Sequence, residues 1–347
     1  MLAARLYGAG DIRVEEVDMP QINENEILIK VKSAAICGTD LRIYNNGLEG
    51  VDSANPRIPG HELSGIIASV GRNVKKYREG MRVAVAPNMG CGLCGQCVSG
   101  NTHLCSEYRA LGINEDGGFA EYVRIPEAAV RQGNIIELDE SITFEEAAIN
   151  EPFSCVYNGF LQCGIKPGDR VLIIGAGPIG ILHAKLAKMA GASKVIINDL
   201  SPERLSICKK IDSNFIALQT GNLKEDIMRL TDGKGLNVCI TACPVPQVQT
   251  DSLELMAVGG RINFFGGLPK AKENVLIKTN LIHYRQLILT GSTRASVTHF
   301  RQTLEFITSG IVSIQDLISR RYSLDKIIEA FEMAAKADGL KNVICFE

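Results

Sequence analysis

No stretch of this chain runs uninterrupted and apolar for the roughly 20 residues that a membrane helix needs, so no bilayer span is expected. Charge of one sign is also missing. The 37 Lys and Arg balance 39 Asp and Glu, for a net charge of −2, and no basic field is available for nucleic acid or anionic lipid. The first twenty residues, MLAARLYGAGDIRVEEVDMP, lack the basic segment, apolar run and small-residue cleavage site of a secretory signal. A cytoplasmic location is therefore expected. Internal repeats and low-complexity tracts are absent too, which excludes solenoids and disordered linkers.

What is present is ordinary in bulk and unusual in detail. Hydrophobic residues make up 46% and charged residues 22% of 347 positions, enough for about two domains with cores of their own. Eleven cysteines in a reducing compartment point to metal rather than to disulfides. Four of them stand in GCGLCGQCVSGNTHLC, residues 90 to 105.

The pattern along the chain changes once. From Ile27 to about Arg131, ILIKVKSAAI, LSGIIASVG, MRVAVAP and GGFAEYVRIP read as short strands cut by Gly, Pro and Asn turns, which predicts an irregular, mostly antiparallel domain. From Gly168 strands and helices alternate. RVLIIGAGPIGILHAKLAKMAGASKVIINDL is an apolar strand, a glycine turn, an amphipathic helix and a second apolar strand, and NVCITAC, RINFFGG and LILTGS continue a parallel sheet covered on both faces. Two helical patterns after Gly291, THFRQTLEFITSG and LDKIIEAFEMAAKA, precede a last strand, KNVICFE.

Gly175, Gly177 and Gly180 keep the GxGxxG spacing between that strand and helix. The first permits a tight turn, the second admits a pyrophosphate to the backbone, and the third lets helix pack on strand, while the helix N-terminus offers free amides to phosphate. The second strand ends at Asp199, where an acid accepts hydrogen bonds from both ribose hydroxyls and repels a 2′-phosphate. NAD is expected over NADP, the plainer reading of Asp199 being a turn residue before the next helix.

Elsewhere, AAICGTDLRIY carries Cys37, PGHELSG carries His61 and Glu62, and AINEPFSCVYNG carries Glu151. A lone buried Cys, a lone His and a lone Glu are each unremarkable. Beside a nucleotide domain they suggest a thiolate, an imidazole and one or two carboxylates converging on zinc. Cys37 falls at an expected helix start, where the dipole favours thiolate.

CGTD, GHE, the cysteine lobe, NEP and GAGPIG, in that order over essentially the whole chain, resemble the zinc-dependent medium-chain dehydrogenases, and within them the sorbitol and polyol branch. The resemblance implies an α/β protein: a GroES-like, mainly β catalytic domain from residues 1–150 and 292–347, its structural zinc lobe near 88–108, and a Rossmann doubly wound parallel sheet domain from 151–291. It implies two Zn2+ per chain and NAD. Cys37, His61 and Glu62 become catalytic zinc ligands, with Glu151 coordinating directly or holding the zinc-bound water. Cys91, Cys94, Cys97 and Cys105 become a closed four-cysteine structural zinc site, a lobe that some polyol dehydrogenases have lost. Pro178, Ile179 and Arg204 join the cofactor-binding set. Thr39 matches a hydroxyl that passes the alcohol proton toward cofactor ribose and solvent, its alternative being a helix cap. Cys155, Cys163, Cys208, Cys239, Cys243 and Cys345 stand in apolar contexts and are expected in cores.

Glutamate before proline at Glu151 is the polyol form, where classical alcohol dehydrogenases have cysteine and threonine dehydrogenases tend to have aspartate. Arg294 matches a polyol-branch position near substrate, but the tyrosine often found beside it is Ala295 here, which reshapes the substrate site. The expected activity is hydride transfer between a polyol or secondary alcohol and NAD. Polyol-phosphate (galactitol-1-phosphate type) and L-threonine-type dehydrogenases are the alternatives, as is, from another class, a non-catalytic zinc- and nucleotide-binding regulator. The partners expected are a small-molecule substrate and further copies of the chain in a dimer or tetramer, with neither nucleic acid nor membrane.

Overall fold

The structure is a computed structural model that describes residues 1–347. It divides into two compact units, Met1–Ser154 with Arg294–Glu347, and Cys155–Thr293. The expected cuts at 150/151 and 291/292 thus sit four and two residues away from the observed ones. Helix Phe144–Cys163 runs through the first of these boundaries and accommodates Pro152.

The first unit is built on a sheet of seven strands. Ile318–Tyr322, Lys341–Cys345, Ile27–Ala35, Glu62–Val70, Arg82–Val85 and Ile135–Glu137 lie side by side in that order, and Tyr122–Ile125 pairs with Ile27–Ala35 off the main path. All pairings are antiparallel except Ile318–Tyr322 with Lys341–Cys345. The C-terminal strand therefore lies beside Ile27–Ala35, far from it in sequence. Register places Val343 opposite Ala35, and Ala35 opposite Glu62. Ile27, Ile29, Val31, Leu63, Ile67 and Ile344 are fully buried, or nearly so, in one core with Phe119 and Phe331. An N-terminal hairpin, Leu2–Gly8 with Asp11–Glu16, adds Ala3, Ala4 and Leu6 to that core.

The second unit is a six-stranded sheet, parallel throughout, in the order Ile216–Leu218, Lys194–Asn198, Arg170–Ile174, Leu236–Thr241, Met256–Phe264, Ile288–Gly291. Strand order reverses next to Arg170–Ile174, the switch point at which doubly wound sheets bind ligands. Val171, Leu172, Ile173, Ile196, Ile197, Val238 and Ile240 are almost wholly buried, as strands covered on both faces require. No helix is long and apolar enough to cross a membrane.

Candidate metal centres and nucleotide site

Each expected site residue is placed by an identifiable element. Cys37 is the N-cap of helix Gly38–Asn46, and the Asp40 carboxylate three residues on accepts from the Cys37 amide at 2.8 Å. His61 immediately precedes and Glu62 opens strand Glu62–Val70, two strands across from the C-terminal one. The ligand atoms of Cys37, His61 and Glu62 lie within 4.8 Å of one another.

The surroundings of this trio are those of a cation site. Asp40 Oδ1 stands 3.4 Å from His61 Nδ1, the place of a carboxylate that fixes the orientation of a ligating histidine. Asp40, His61 and Glu62 are all buried, with Asp40 and Glu62 bringing two carboxylates to one dry cluster, an arrangement that favours a cation among them. Burial disfavours an imidazolium at His61, but the facing Asp40 and Cys37 outweigh it and hold its pKa well above the ordinary value. The donor set of one sulfur, one imidazole nitrogen and carboxylate oxygen suits zinc, and three protein ligands leave a position open for chemistry.

Glu151 is buried in helix Phe144–Cys163, where its backbone carbonyl accepts from Ser154 Oγ. Its carboxylate is not in the three-residue cluster. Thr39 is the second residue of helix Gly38–Asn46, so the cap is Cys37 and the capping alternative for Thr39 does not hold. Its Oγ1 accepts from Arg42 at 2.9 Å. Arg294 takes a left-handed backbone, with φ of 56°. Its guanidinium lies 3.6 Å from the centre of the Tyr108 ring and donates to the His103 carbonyl at 3.2 Å. The carbonyl of the buried Ala295 accepts from Asn88. Arg294 is thus tied to the segment that carries the cysteine lobe.

Besides Asp40, a second residue of the site went unnoticed in the sequence. Lys341, buried at the start of the last strand, donates to Glu62 Oε1 at 2.7 Å and to the Ile36 carbonyl at 2.8 Å. Burial works against its charge, and the facing Glu62, Cys37 and Asp40 outweigh burial and raise its pKa. A lysine preceding an apolar strand gives no local signal of this; only strand pairing brings it to Glu62.

In the lobe, the four sulfurs of Cys91, Cys94, Cys97 and Cys105 also fall within 4.8 Å of one another, and all eleven cysteines of the chain are free thiols. Tetrahedral zinc at 2.3 Å from each sulfur needs sulfurs about 3.8 Å apart; Cys94 and Cys105 Sγ are 3.8 Å apart. Backbone amides of Cys91 and Glu107 point at Cys105 Sγ, and that of Cys94 at Cys91 Sγ. The amides of Leu93 and Cys94 draw the Cys91 thiol down to about 7, whereas burial pushes Cys97 up to about 12. A thiolate at Cys97 calls for a metal to compensate it. Of the remaining cysteines, Cys163, Cys208 and Cys239 are buried, and Cys155, Cys243 and Cys345 half-buried.

In the second unit each glycine of the turn differs in its surroundings. Gly175 has φ of 115°, a conformation costly to any residue with a Cβ. A Cβ on Gly180 would collide with the Gly175 carbonyl oxygen, whereas around Gly177 the only atom within 4 Å would be Arg204 Nη1, at 3.8 Å. The middle glycine is therefore the one left open to a ligand. Helix Pro178–Met189 begins immediately after it with Pro178 at its first position, and Ile179 follows in the same first turn. Asp199 accepts through Oδ2 from the Ala176 amide at 2.7 Å and through Oδ1 from the Ser201 amide at 2.9 Å. It is both the turn residue and the acid beside the glycine loop.

Residues 23–134 match the model of the alcohol dehydrogenase GroES-like domain and residues 178–309 that of the zinc-binding dehydrogenases. The chain belongs to the zinc-binding alcohol dehydrogenase family. It is an oxidoreductase of the alcohol and polyol dehydrogenase class, which sets aside a non-catalytic regulator. Sorbitol dehydrogenase of Bacillus subtilis (strain 168) is 33% identical over 96% of this chain and 93% of its own length. L-threonine 3-dehydrogenase of Bacillus velezensis is 32% identical, over 95% of this chain and 94% of its own length. The crystal structure of 2R,3R-butanediol dehydrogenase from Bacillus subtilis superposes with a TM-score of 0.89 at 27% identity, covering 100% of this chain and 99% of that one.

Proposed function

We propose that the protein oxidises a small polyol or vicinal diol at a secondary hydroxyl, with NAD as hydride acceptor. The observation that carries this is the convergence of Cys37, His61 and Glu62, the last with a carboxylate in the buried donor set. Zinc bound there supplies Lewis acidity that makes an alcohol hydroxyl easier to deprotonate. The chain's own groups do the rest. Cys37, His61 and Glu62 hold the metal, Asp40 orients His61, and the buried Glu151 carboxylate holds a water rather than the metal. Thr39 Oγ1, in the first turn after Cys37, takes the alcohol proton and passes it outward. The Gly175 to Gly180 turn and the amides of helix Pro178–Met189 receive the pyrophosphate, with Arg204 beside Gly177, and Asp199 receives the ribose hydroxyls. Cys91, Cys94, Cys97 and Cys105 hold a second zinc that orders their loop.

The protein acts in the cytoplasm and assembles as a homo-oligomer. Support for the latter is the strand Ile288–Gly291, which is paired on one side only and carries the exposed Ile288; an open edge of this kind calls for a cover. A second reading, threonine oxidation, rests on the similarity to threonine dehydrogenases over nearly the whole chain. A screen of NAD reduction against polyols, sugar-alcohol phosphates and threonine separates the readings. Highest kcat/KM on an unphosphorylated polyol or diol is the expected result; highest kcat/KM on threonine or on a phosphate ester moves the protein to that branch.

A further inference from the structure

The metal-site reading leaves one buried charge without a role. Lys341 and Glu62 are 279 residues apart in sequence and meet because two strands flank a third. Val343 and Glu62 both pair with Ala35, and Lys341, two residues before Val343 and so on the same face of its strand, reaches across to Glu62. The ammonium touches both carboxylate oxygens of Glu62. It lies 2.7 Å from Oε1 and 2.5 Å from Oε2, so the whole carboxylate is clamped by one buried ammonium.

We propose that Lys341 is a positioning residue of the metal centre, holding the Glu62 carboxylate in place through a buried ion pair and offsetting the negative charge that would otherwise blunt the metal's electrophilicity. This rests on the assignment of Cys37, His61 and Glu62 as metal ligands. The charge balance carries it. A Cys37 thiolate with the Asp40 and Glu62 carboxylates brings three negative charges against the two of a divalent cation, and Lys341 brings the sum to zero. A more anionic shell holds the cation harder and polarises an alcohol less. Loss of Lys341 therefore strengthens metal retention and weakens catalysis together, whereas a lysine that merely neutralised Glu62 for the fold would, when removed, loosen the metal.

The test uses the full-length zinc-loaded protein with Lys341→Met, Lys341→Gln and Lys341→Arg. In the Met variant, one of the two zincs should leave to a chelator at least about tenfold more slowly, as one unit charge a few ångströms from the ion demands even with strong screening. Turnover should fall about tenfold with the KM for NAD unchanged, and the visible bands of the cobalt-substituted protein should shift. The Arg variant, which keeps the charge, should match the unmodified protein in all three. Should the Met variant not fold, the Gln variant carries the same readouts, since its amide still donates to Glu62. Unchanged or faster zinc release with an unchanged cobalt spectrum overturns the role of Lys341. A Cys37→Ser variant that keeps both zincs overturns the underlying metal assignment instead, whatever the Lys341 variants do.

Discussion

Asp199 is held in place by the backbone and, in the proposed reading, also receives the nucleotide. Its two oxygens are held by the amides of Ala176 and Ser201, so the carboxylate is fixed before a nucleotide arrives, and each oxygen keeps a further lone pair for the ribose hydroxyls the proposal assigns to it. Replacement by Ala removes those acceptors and the charge that repels a 2′-phosphate. Charge-assisted hydrogen bonds are worth about 1.5 to 3 kcal/mol, and ~1.4 kcal/mol is tenfold. The ratio of kcat/KM for NAD over NADP should fall by one to two orders of magnitude in Asp199→Ala; a ratio that does not move, or an unmodified enzyme that already prefers NADP, contradicts this role. At this scale the glycine turn, the acid after the second strand and both cysteine- and histidine-bearing motifs were legible in the sequence, because each is a local pattern with a fixed spacing. Lys341 and Asp40 were not. Their partners are set by the register between strands Lys341–Cys345, Ile27–Ala35 and Glu62–Val70 and by the turn at Cys37, neither of which leaves a mark on neighbouring residues.

Helices and loops were read unevenly for equally physical reasons. The strands at Ile27, Glu62 and Arg170 and the helix at Pro178 follow apolar periodicity, but helix Phe144–Cys163 hid behind Pro152 inside it, since proline usually ends a helix. Helix Pro178–Met189 carries a further liability. His183 on it is fully buried, neither ring nitrogen has a hydrogen-bond partner, and its ring meets Phe265 edge-on with centroids 4.8 Å apart. Burial pushes its pKa down from 6.5 to about 3. The unfolded chain then binds a proton below pH 6.5 that the folded one refuses, so this contribution is intact above 6.5 and is lost as pH falls toward 3, at about 1.4 kcal/mol per unit. His183→Met should flatten the decline of Tm between pH 6.5 and 5; an unaltered slope would mean that the ring is hydrated or partnered in solution. In the lobe, where a loop has little core of its own, metal binding is folding energy. Cys94→Ser should leave about one zinc per chain and a lowered Tm while the folded fraction still turns over, and a fully stable variant with two zincs would rule out the structural role.

For the molecule as a whole, the question is which alcohol the assembled chemistry selects. The family and the zinc chemistry follow from residues that the folded chain brings together, whereas substrate choice depends on groups whose neighbours the sequence does not announce. Arg294 illustrates this: matched to a substrate-side position, it is found stacked on Tyr108 and bonded to the His103 carbonyl, so its donors are partly committed to the cysteine lobe. The polar character of the site then rests more on carboxylate, with Glu62 in the donor set and Glu151 buried in the same unit. A site that accepts hydrogen bonds from a second hydroxyl discriminates against an analogue lacking it, because a buried acceptor is left unpaired. An unpaired buried acceptor costs about 1 to 3 kcal/mol, or roughly five- to 150-fold in kcat/KM. A vicinal diol such as 2,3-butanediol should therefore be oxidised at least about fivefold more efficiently than 2-butanol, read as kcat/KM. Arg294→Ala should narrow that gap only slightly while lowering Tm through the loosened lobe. Equal kcat/KM for the two alcohols in the unmodified enzyme would sink the polyol assignment and leave a general secondary-alcohol dehydrogenase; a gap abolished by Arg294→Ala would return the discrimination to the guanidinium.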